Sequence, residues 1–511
     1  MSDWSSGYNV EAGYTFGYYR ELSPAWLNYA ATIEGYATPS GQWRYLELGC
    51  GYGFGLILLA STYPEHDFVG VDFNPEHIAH ARRLVASAGL TNVTFEEADF
   101  LDLARDWPQN WGQFDYIVAH GIISWLSTTV RKAIFQAIGN ASAPGALVYL
   151  SYNALPGKLT NYTIQHLLRL WQMSEAIPAS QSVTEGLKRI DGLIEANAAM
   201  AGALPALKSQ LENIKKQNPN YLIHEYLHDE WHPQWFNEVV TEVGVAKLTF
   251  VGSANISDLF IKTILPADRK HILDQYQDPI VQEVMLDVLV NQGFRKDIFA
   301  RGREKLPSLR QTDILLSTQV MALNVPDAEK PITIHTAVGE LTGKAEVYRP
   351  ILDALLQGPQ TIAALLETQG EGEQKLAIVL QAVSLMVHAG YVGLYRAMVD
   401  DTPAKSLNTA IARSVAEGGS YRNLVSGQTG QIIAAFETDL IMLHEVLTDP
   451  ALQDATVLCQ RMYQRLQRLG KSLLQDGEVL TDAAALQNLA LDMAEGFLSK
   501  TLPRWRSLGV C

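Results

Sequence analysis

The fold is decided by residues 46–55, Leu46-Glu47-Leu48-Gly49-Cys50-Gly51-Tyr52-Gly53-Phe54-Gly55. An apolar strand ends there in a glycine-rich turn, and an apolar helix follows the turn. The alternate glycines let the backbone bend sharply and approach a ligand with no Cβ atom in the way. The stretch therefore predicts a strand–turn–helix unit that binds a nucleotide-like ligand.

Acidic residues mark the first two strand ends. Glu47 lies inside the glycine motif, and the next apolar run, Phe68–Val71, ends in Asp72 and Phe73. An acid about 20 residues after the glycine turn is typical of a carboxylate that accepts hydrogen bonds from both hydroxyls of a ribose. We therefore expect Asp72 to contact a ribose.

The third and fourth apolar runs also end in polar or aromatic residues. Asp99 and Phe100 follow the third run and offer an acceptor and an aromatic wall for a purine, and the fourth run, Phe114–Ala119, leads into His120. Strand-like segments with helical spacers and polar groups at their carboxyl ends predict a doubly wound parallel sheet. Its ligand is expected at the strand tips.

This ordered set resembles the class I methyltransferases that use S-adenosylmethionine (SAM). The resemblance implies a Rossmann-like α/β core. An NAD-binding domain is the alternative, but its fingerprint is G-x-G-x-x-G, whereas this turn reads G-x-G-x-G after Glu-Leu. The residues expected to bind the cofactor are Tyr18, Glu47, Gly49, Gly51, Gly53, Asp72, Phe73, Asp99, Phe100 and His120.

Length and composition limit the remaining possibilities. A chain of 511 residues exceeds a single core and suggests roughly three domains. The net charge of −16 disfavours general binding to nucleic acids. The three cysteines are far apart, the first residues do not resemble a signal peptide, and no run approaches membrane-spanning length. We expect a cytoplasmic protein without membrane insertion.

The loops after strands four and five flank the place where the SAM methyl group would point. The fifth strand is predicted over Ala146–Ser151, and Tyr152 and Asn153 follow it. His120, Trp125, Tyr152 and Asn153 are therefore the candidate catalytic residues. Trp125 and Tyr152 would line a dry pocket that lowers the pKa of an acceptor amine, and the Asn153 carbonyl would orient that amine. His120 would act as a base, a structural hydrogen-bonding residue or a cofactor contact.

A helical pattern interrupts the sheet. Residues 158–230 predict helices, and strands six and seven are predicted over Ala246–Val251 and Phe294–Phe299. We therefore expect an aromatic cap at 1–40, a SAM-binding core at 41–157 and 231–303, and a helical insertion or lid at 158–230. The tyrosines of the cap either close over the cofactor or pack a helix onto the sheet.

One segment resembles a zinc site. His224-Glu225-Tyr226-Leu227-His228 reads H-E-x-x-H, and His232 follows four residues later. The metzincin extension is missing, and Pro233 indicates a helix end. We therefore predict no metal and assign the segment to the lid or to substrate contact, with a carboxylate ligand such as Glu242 as the open alternative.

Four sequence motifs make the resemblance more specific, namely Ala119–Trp125, Ser151–Gly157, His224–Leu227 and Phe294–Asp297. They resemble bacterial methyltransferases that have a methyltransferase regulatory domain, from about Tyr45 to Gly302 and more loosely beyond. The resemblance implies protein-lysine methyltransferases that modify outer-membrane proteins. Two positions depart from it, because Ile123 replaces an aromatic residue and Lys158 a tryptophan, and the amino-terminal tyrosine-rich segment differs as well. These changes are expected at the acceptor pocket, so another amine, a hydroxyl or a small molecule remains an alternative acceptor.

The C-terminal half predicts two further units. Three helices and a terminal strand between Ile351 and Tyr395 indicate a winged-helix-like domain at 304–400. Acidic residues outnumber basic ones from Glu340 to Asp400, so we expect protein docking or packing there rather than DNA binding. A mainly helical domain is predicted at 401–511, with one long helix from Ile432 to Leu447.

Together these patterns predict an enzyme that transfers a methyl group from SAM to a protein or peptide acceptor, with a lysine amine preferred. The alternatives are a small-molecule or ribosomal-peptide N- or O-methyltransferase of secondary metabolism, and a SAM-binding adaptor without activity. The intact glycines, Asp72 and Asp99 argue against the adaptor. The oligomeric state remains open.

Overall fold

The computed structural model describes residues 16–175, 178–302, 304–370, 372, 374–397, 400–475, 478–480 and 482–511. Seven strands form the central sheet, β1 Arg44–Leu48, β2 Asp67–Asp72, β3 Val93–Glu97, β4 Phe114–Ala119, β5 Ser142–Asn153, β6 Leu248–Ser253 and β7 Phe294–Arg301. Their order is β3-β2-β1-β4-β5-β7-β6. β1 to β5 are parallel, and β7 is antiparallel to both of its neighbours. The predicted Rossmann-like fold is confirmed.

The first helices cover the sheet, α1 Pro24–Ile33, α2 Phe54–Thr62, α3 Pro75–Ala88, α4 Phe100–Arg105 and α5 Thr128–Ala141. Local sequence sets their ends. The Asn74 side chain caps α3 by accepting the Glu76 N–H at 2.9 Å, and Gly89 ends the helix in the left-handed conformation. Every residue of α2 except Gly55 is buried, which explains its uninterrupted apolar sequence.

A helical insertion leaves the sheet after β5, as the periodicity predicts. It contains α6 Leu159–Glu175, α7 Ala179–Glu195, α8 Ala199–Ala203, α9 Leu207–Lys215 and α10 Pro219–Tyr226. These helices share a separate apolar core around Leu168, Ile190 and Leu211. The chain returns to the sheet through α11 Phe236–Val243, and three more helices lie between β6 and β7, α12 Ile261–Ile264, α13 Ala267–Leu273 and α14 Pro279–Val290.

Mixed elements follow the sheet. They are α15 Ser308–Ser317, β8 Gln319–Ala322, β9 Ile332–Thr336, β10 Gly339–Gly343, α16 Ala345–Leu356, β11 Gln360–Thr361, α17 Ile362–Leu366, α18 Lys375–Ala389 and β12 Val392–Leu394. Three of the strands form a small sheet in the order β11-β8-β12. A winged-helix-like domain at 304–400 stays a prediction.

The last part is mainly helical, with α19 Thr402–Ala416, β13 Asn423–Val425, β14 Ile432–Ala434, α20 Glu437–Thr448, α21 Ala455–Arg468, β15 Leu474–Gln475, β16 Glu478–Val479, α22 Ala483–Gly496 and α23 Leu502–Ser507. The predicted long helix from Ile432 to Leu447 is wrong. Its first residues pair with β13 in a hairpin, because β-branched Ile432 and Ile433 pack well in a strand, and α20 begins only at Glu437.

The C-terminal helices pack directly on the sheet layer. α19 lies against α2 and α3, and the Ser406 hydroxyl donates to the Ala88 carbonyl at 2.6 Å. One continuous apolar core includes residues of the sheet, such as Tyr45, and of the C-terminal helices, such as Leu443. None of the helices in the described part of the chain combines the length and apolar character that a membrane span requires.

Candidate active site

A cavity of about 410 Å³ lies at the carboxyl ends of the parallel strands. Most of the predicted site residues line it, namely Tyr18, Glu47, Gly49, Gly51, Gly53, Asp72, Phe73, Asp99, Phe100, His120 and Trp125. The structure therefore brings these residues together around one cavity. The position agrees with the rule that ligands of open α/β sheets bind outside the strand tips.

The glycine turn requires glycine at two positions. Gly49 and Gly53 have φ values of 71° and 69°, in the left-handed region. A Cβ atom on Gly49 would lie 2.9 Å from the Ile122 side chain, and one on Gly53 would lie 2.3 Å from the Phe95 ring. The turn is thus packed against its neighbours from both sides.

Asp72 fixes this turn. Its Oδ2 accepts the Gly51 N–H at 2.8 Å, and its Oδ1 accepts the Asn74 N–H at 2.9 Å. The His77 Nδ1 atom lies 3.2 Å from Oδ1. A carboxylate in these contacts holds the glycine loop and the start of α3 together while it still faces the cavity.

Glu47 is buried at the end of β1 and also lines the cavity. Burial, and then the nearby charge of Asp72, raise the pKa of Glu47 to about 8. Its carboxyl group is therefore mostly protonated at neutral pH. A positive charge placed beside it would stabilise the ionised form.

Four acidic side chains are part of a lining that otherwise consists mainly of glycines and apolar or aromatic residues. Glu47, Asp72, Asp99 and Glu225 line the cavity, whereas no lysine or arginine does so among the described residues. The charges are therefore of one sign and favour a cationic ligand. Asp99 also accepts the Leu101 N–H at 2.7 Å and so caps α4, which begins with the half-buried Phe100.

His120 is held by hydroxyl groups of β5. Its Nδ1 atom lies 3.0 Å from the Tyr149 hydroxyl and 3.0 Å from the Ser151 hydroxyl, which also accepts the Gly121 N–H at 2.8 Å. Burial, and then the charge of Lys296, lower the pKa of His120 to about 4. The imidazole is therefore neutral at physiological pH. Sequence reasoning missed Tyr149 and Ser151, although their spacing of two places both on one face of a strand.

An N-terminal strap, defined here as residues 16–19, crosses the cavity. Tyr18 and Tyr19 line it, and the Tyr19 ring centroid lies 3.9 Å from that of His120. Phe16 packs between Tyr52, at 5.1 Å, and Tyr421 of the C-terminal part, at 4.9 Å. Tyr18 and Tyr19 thus line the cavity, and Tyr18 also packs against the apolar core of the sheet. The earlier tyrosines of the cap lie outside the described residues.

The helical insertion contributes the opposite wall. Asn218, Glu225 and His228 line the cavity together with Trp125, whose ring centroid lies 5.4 Å from that of His228. A lid role for 158–230 stays a prediction. The expected assignment of the H-E-x-x-H segment to the lid or to substrate contact includes Glu225 and His228, whereas no sequence pattern selects Asn218, because its position depends on how the insertion folds back.

The structure corrects two predicted catalytic residues, since Tyr152 and Asn153 do not line the cavity. β5 continues to Asn153, so both residues belong to the strand rather than to a loop after it. The Tyr152 hydroxyl donates to Asp297 Oδ2 at 2.6 Å within the core. The Asn153 backbone is bonded on both sides, to the Ser124 hydroxyl and to the Gln234 N–H.

The H-E-x-x-H segment spans the end of α10. The His228 Nδ1 atom accepts the Glu230 N–H at 3.1 Å, and His232 Nε2 lies 2.7 Å from Glu230 Oε2. The side chain of His224 lies outside the described residues. Among the residues that are described, no group of three or more histidine, cysteine or acidic side chains is arranged to hold a metal ion. Glu242 instead forms a bidentate ion pair with Arg131.

The residues around the cavity fit SAM. That molecule carries a sulfonium and an ammonium group against one carboxylate, so its net charge matches a lining of acidic residues. The glycine turn provides close backbone approach, Asp72 faces the expected ribose, and Phe100 offers a flat apolar surface.

Two family models match the chain. Residues 40–224 match a methyltransferase domain, and residues 218–301 match a predicted methyltransferase regulatory domain. The second match includes α10, β6 and β7, so the sheet itself extends across both models.

Relatives extend the match to the full length. An uncharacterised protein of Synechocystis is 34% identical and covers 99% of both chains, and one of Rickettsia prowazekii is 28% identical over 61% of this chain and 56% of its own. The solved structure of PKMT2 from Rickettsia typhi in complex with AdoHcy aligns with a TM-score of 0.71 at 20% identity, covering 97% of this chain and 99% of that one. This last likeness shows a common fold.

Proposed function

The chain belongs to the family of SAM-dependent methyltransferases that carry a methyltransferase regulatory domain, and we propose that it methylates a protein or peptide on a lysine amine. The observation that supports this acceptor is the mixed lining of the cavity. Trp125 after β4 and Glu225 of the insertion line the same cavity as the strand tips, so an aromatic wall and a carboxylate are combined there.

The strand tips of β1, β2 and β3 are the proposed seat of the cofactor. Asp72 accepts from the ribose, while Asp99 and Phe100 contact the adenine. Glu47 and the glycine turn hold the amino-acid end, and Tyr18 and Phe73 close the remaining sides. SAM, when bound, would supply the methyl group: the acceptor nitrogen, having first lost a proton to solvent, would bond to the methyl carbon while the carbon–sulfur bond breaks with its electron pair on sulfur.

His120 and Trp125 are the proposed walls of the acceptor side. Both follow β4 and line the cavity together with residues of the insertion. A neutral His120 does not repel a sulfonium or an approaching amine, which is consistent with a pKa of about 4. Its Nδ1 atom is engaged with hydroxyl groups, so we assign it a positioning role rather than that of a base.

The two departures from the lysine-modifying relatives do not argue against this acceptor. Ile123 is fully buried in the core beneath the sheet and does not line the cavity. Lys158 lies beside Glu225 at the edge of the insertion, where its Nζ atom is 3.7 Å from the carboxylate. Neither of these two positions lies in the cavity lining, which includes the aromatic side chains of Trp125 and the strap.

The test is transfer of a labelled methyl group. The protein is incubated with methyl-tritiated SAM and either lysine-containing proteins or a metabolite extract, and mass spectrometry locates the label. We expect label on lysine Nζ atoms. Label found only on small molecules, or on hydroxyl groups of a peptide, would contradict the lysine proposal and support the secondary-metabolism alternative.

A matched pair of variants connects this activity to the cavity. Asp72→Asn should weaken SAM binding by about 10- to 100-fold, because it loses charge-assisted hydrogen bonds. Asp67→Asn changes an exposed acid at the other end of the same strand and should leave binding unchanged. Equal affinity in the two variants would remove Asp72 from the cofactor site.

A further inference from the structure

The carboxylates that line the cavity come from two different parts of the chain. Glu47, Asp72 and Asp99 all belong to the tips of β1, β2 and β3 or to the residues that follow them. Glu225 comes from α10 of the insertion and lines the same cavity. The strand tips at the proposed cofactor seat therefore have their own acids, and the fourth acid comes from the insertion.

We infer that Glu225 is the specificity residue for the acceptor, binding its terminal ammonium group, and that Lys158 occupies this place before the acceptor arrives. The inference rests on the proposed function, because it assumes that the acceptor is an amine. It names the chemical class more narrowly: a primary ammonium group at the end of a flexible alkyl chain.

The contact between Lys158 and Glu225 supports the inference. The Nζ and Oε1 atoms are 3.7 Å apart, which is an ion pair but longer than a hydrogen bond. Both side chains are largely shielded, with exposures of 21% and 14%. Lys158 thus offers Glu225 the same ammonium group as an acceptor lysine. The 3.7 Å separation between Nζ and Oε1 is longer than the hydrogen bond that an acceptor ammonium group could form with this carboxylate.

Glu225 is also held firmly enough to select a ligand. On α10 the Tyr226 hydroxyl accepts the Asn161 amide N–H at 2.9 Å, and shortly after it the His228 carbonyl accepts the Gln165 amide N–H at 3.0 Å. The His232 N–H then donates to the Ser124 carbonyl at 2.8 Å, in the loop that carries Trp125. The chain segment that carries Glu225 is therefore fixed to α6 on one side and to the loop after β4 on the other.

The surroundings suit the alkyl chain of an amine. Trp125, Leu126 and Val130 line the same cavity as Glu225 and offer apolar contact to methylene groups. Trp125 is supported from behind by Trp231, whose ring is nearly parallel at 5.8 Å. A chain lying along this wall would reach Glu225 with its charged end and then give up a proton to solvent before the transfer.

The test compares Glu225→Gln with Glu230→Gln in full-length protein. Glu230 lies five residues further on, pairs with His232 and does not line the cavity. Loss of the Glu225 charge should raise the KM for a lysine peptide by about 10- to 100-fold and leave the KM for SAM unchanged. The Glu230→Gln variant should match the wild type, and Glu225→Asp should recover part of the loss.

The pH profile separates binding from a structural role. A carboxylate beside an ammonium group raises the pKa of that amine, so its removal should shift the rise of kcat towards lower pH. Lys158→Met removes the resident competitor and should lower the KM for the peptide. An unchanged KM and pH profile in Glu225→Gln, or equal losses for peptide and SAM, would overturn the inference.

A binding measurement distinguishes this inference from the proposed function. Calorimetry of the protein saturated with S-adenosylhomocysteine is performed with n-butylammonium and with neutral n-butanol. Binding of the cation alone, lost in Glu225→Gln, supports the ammonium site even if no lysine peptide is methylated. Absence of cation binding, or binding that survives in the variant, contradicts the site even if lysine methylation is observed.

Discussion

At the scale of single residues, Glu47 is a carboxyl group that its surroundings keep mostly protonated. Burial and the neighbouring Asp72 raise its pKa to about 8, compared with a usual value near 4.5. A cationic ligand beside it favours the carboxylate, so binding should lower this pKa and release a proton.

We therefore expect SAM binding at pH 7 to transfer a proton from Glu47 to the buffer. Protonation of Tris is strongly exothermic and that of phosphate is not, so the enthalpy measured by calorimetry should be more negative in Tris. Glu47→Gln should abolish this difference, whereas Glu97→Gln, an exposed acid outside the cavity, should preserve it. A wild-type enthalpy that is independent of the buffer would refute the prediction.

Two buried tyrosines of β5 should respond differently to loss of their hydroxyl groups. Tyr152→Phe removes a hydrogen bond to the Asp297 carboxylate and should cost about 1.5 to 3 kcal/mol of stability with no change in the KM for SAM. Tyr149→Phe removes the contact with His120 and should lower turnover. Melting curves and steady-state kinetics of both variants check this. A larger loss of turnover in Tyr152→Phe would restore that residue to the catalytic group.

At the scale of elements, the turn between β1 and α2 depends on glycine for two separate reasons. A side chain at Gly53 meets both an unfavourable φ and the Phe95 ring, whereas one at Gly89 meets an unfavourable φ of 66° with nothing within 4 Å. The two glycines therefore separate backbone strain from steric overlap.

Gly89→Ala should cost about 1 to 2 kcal/mol, the usual strain of a left-handed residue with a Cβ atom. Gly53→Ala adds overpacking and should cost about 2 to 5 kcal/mol. Thermal melting measures the difference, and SAM affinity should fall only in Gly53→Ala. Equal melting temperatures would show that the Phe95 ring moves away without cost.

The site residues at the strand ends could be predicted from the sequence, because the pattern that indicates them involves only neighbouring residues. Gly49, Asp72 and Asp99 each follow an apolar run directly, and parallel strands bring such residues to one edge. The catalytic prediction for Tyr152 was wrong because β5 ends two residues later than predicted. Tyr152 therefore lies in the strand, where it faces the core, and not in a loop. The sequence assigns the segment containing Glu225 to the lid or to substrate contact, but only the folded insertion shows that Glu225 lines the cavity, since no local pattern states which face of α10 meets the sheet.

At the scale of the whole molecule, the strap connects the cavity to the C-terminal half. The Arg20 side chain, directly after the strap, donates to the Val387 and His388 carbonyls at the end of α18. The Tyr421 hydroxyl lies 2.9 Å from His80 Nε2, beside Phe16. These contacts join residues more than 300 positions apart in the sequence, so periodicity and motifs did not indicate them.

Cofactor exchange should therefore depend on the C-terminal half. Tyr421→Ala removes an aromatic contact with Phe16 and should increase the dissociation rate of SAM by about tenfold. Phe436→Ala changes an aromatic residue of the same half that is 78% exposed and should leave the rate unchanged. Stopped-flow displacement measures both rates. An unaltered rate in a correctly folded Tyr421→Ala would show that the strap is held by other contacts.

The acidic lining also bears on how each catalytic cycle ends. Once the methyl group has left, the sulfur atom is a neutral thioether, so the by-product meets the same acidic lining with one positive charge fewer. Electrostatic attraction then favours binding of SAM over binding of the demethylated by-product when the two compete for the cavity. We expect weak inhibition by the by-product, with an advantage for the donor that is greatest in dilute salt and declines as ionic strength rises.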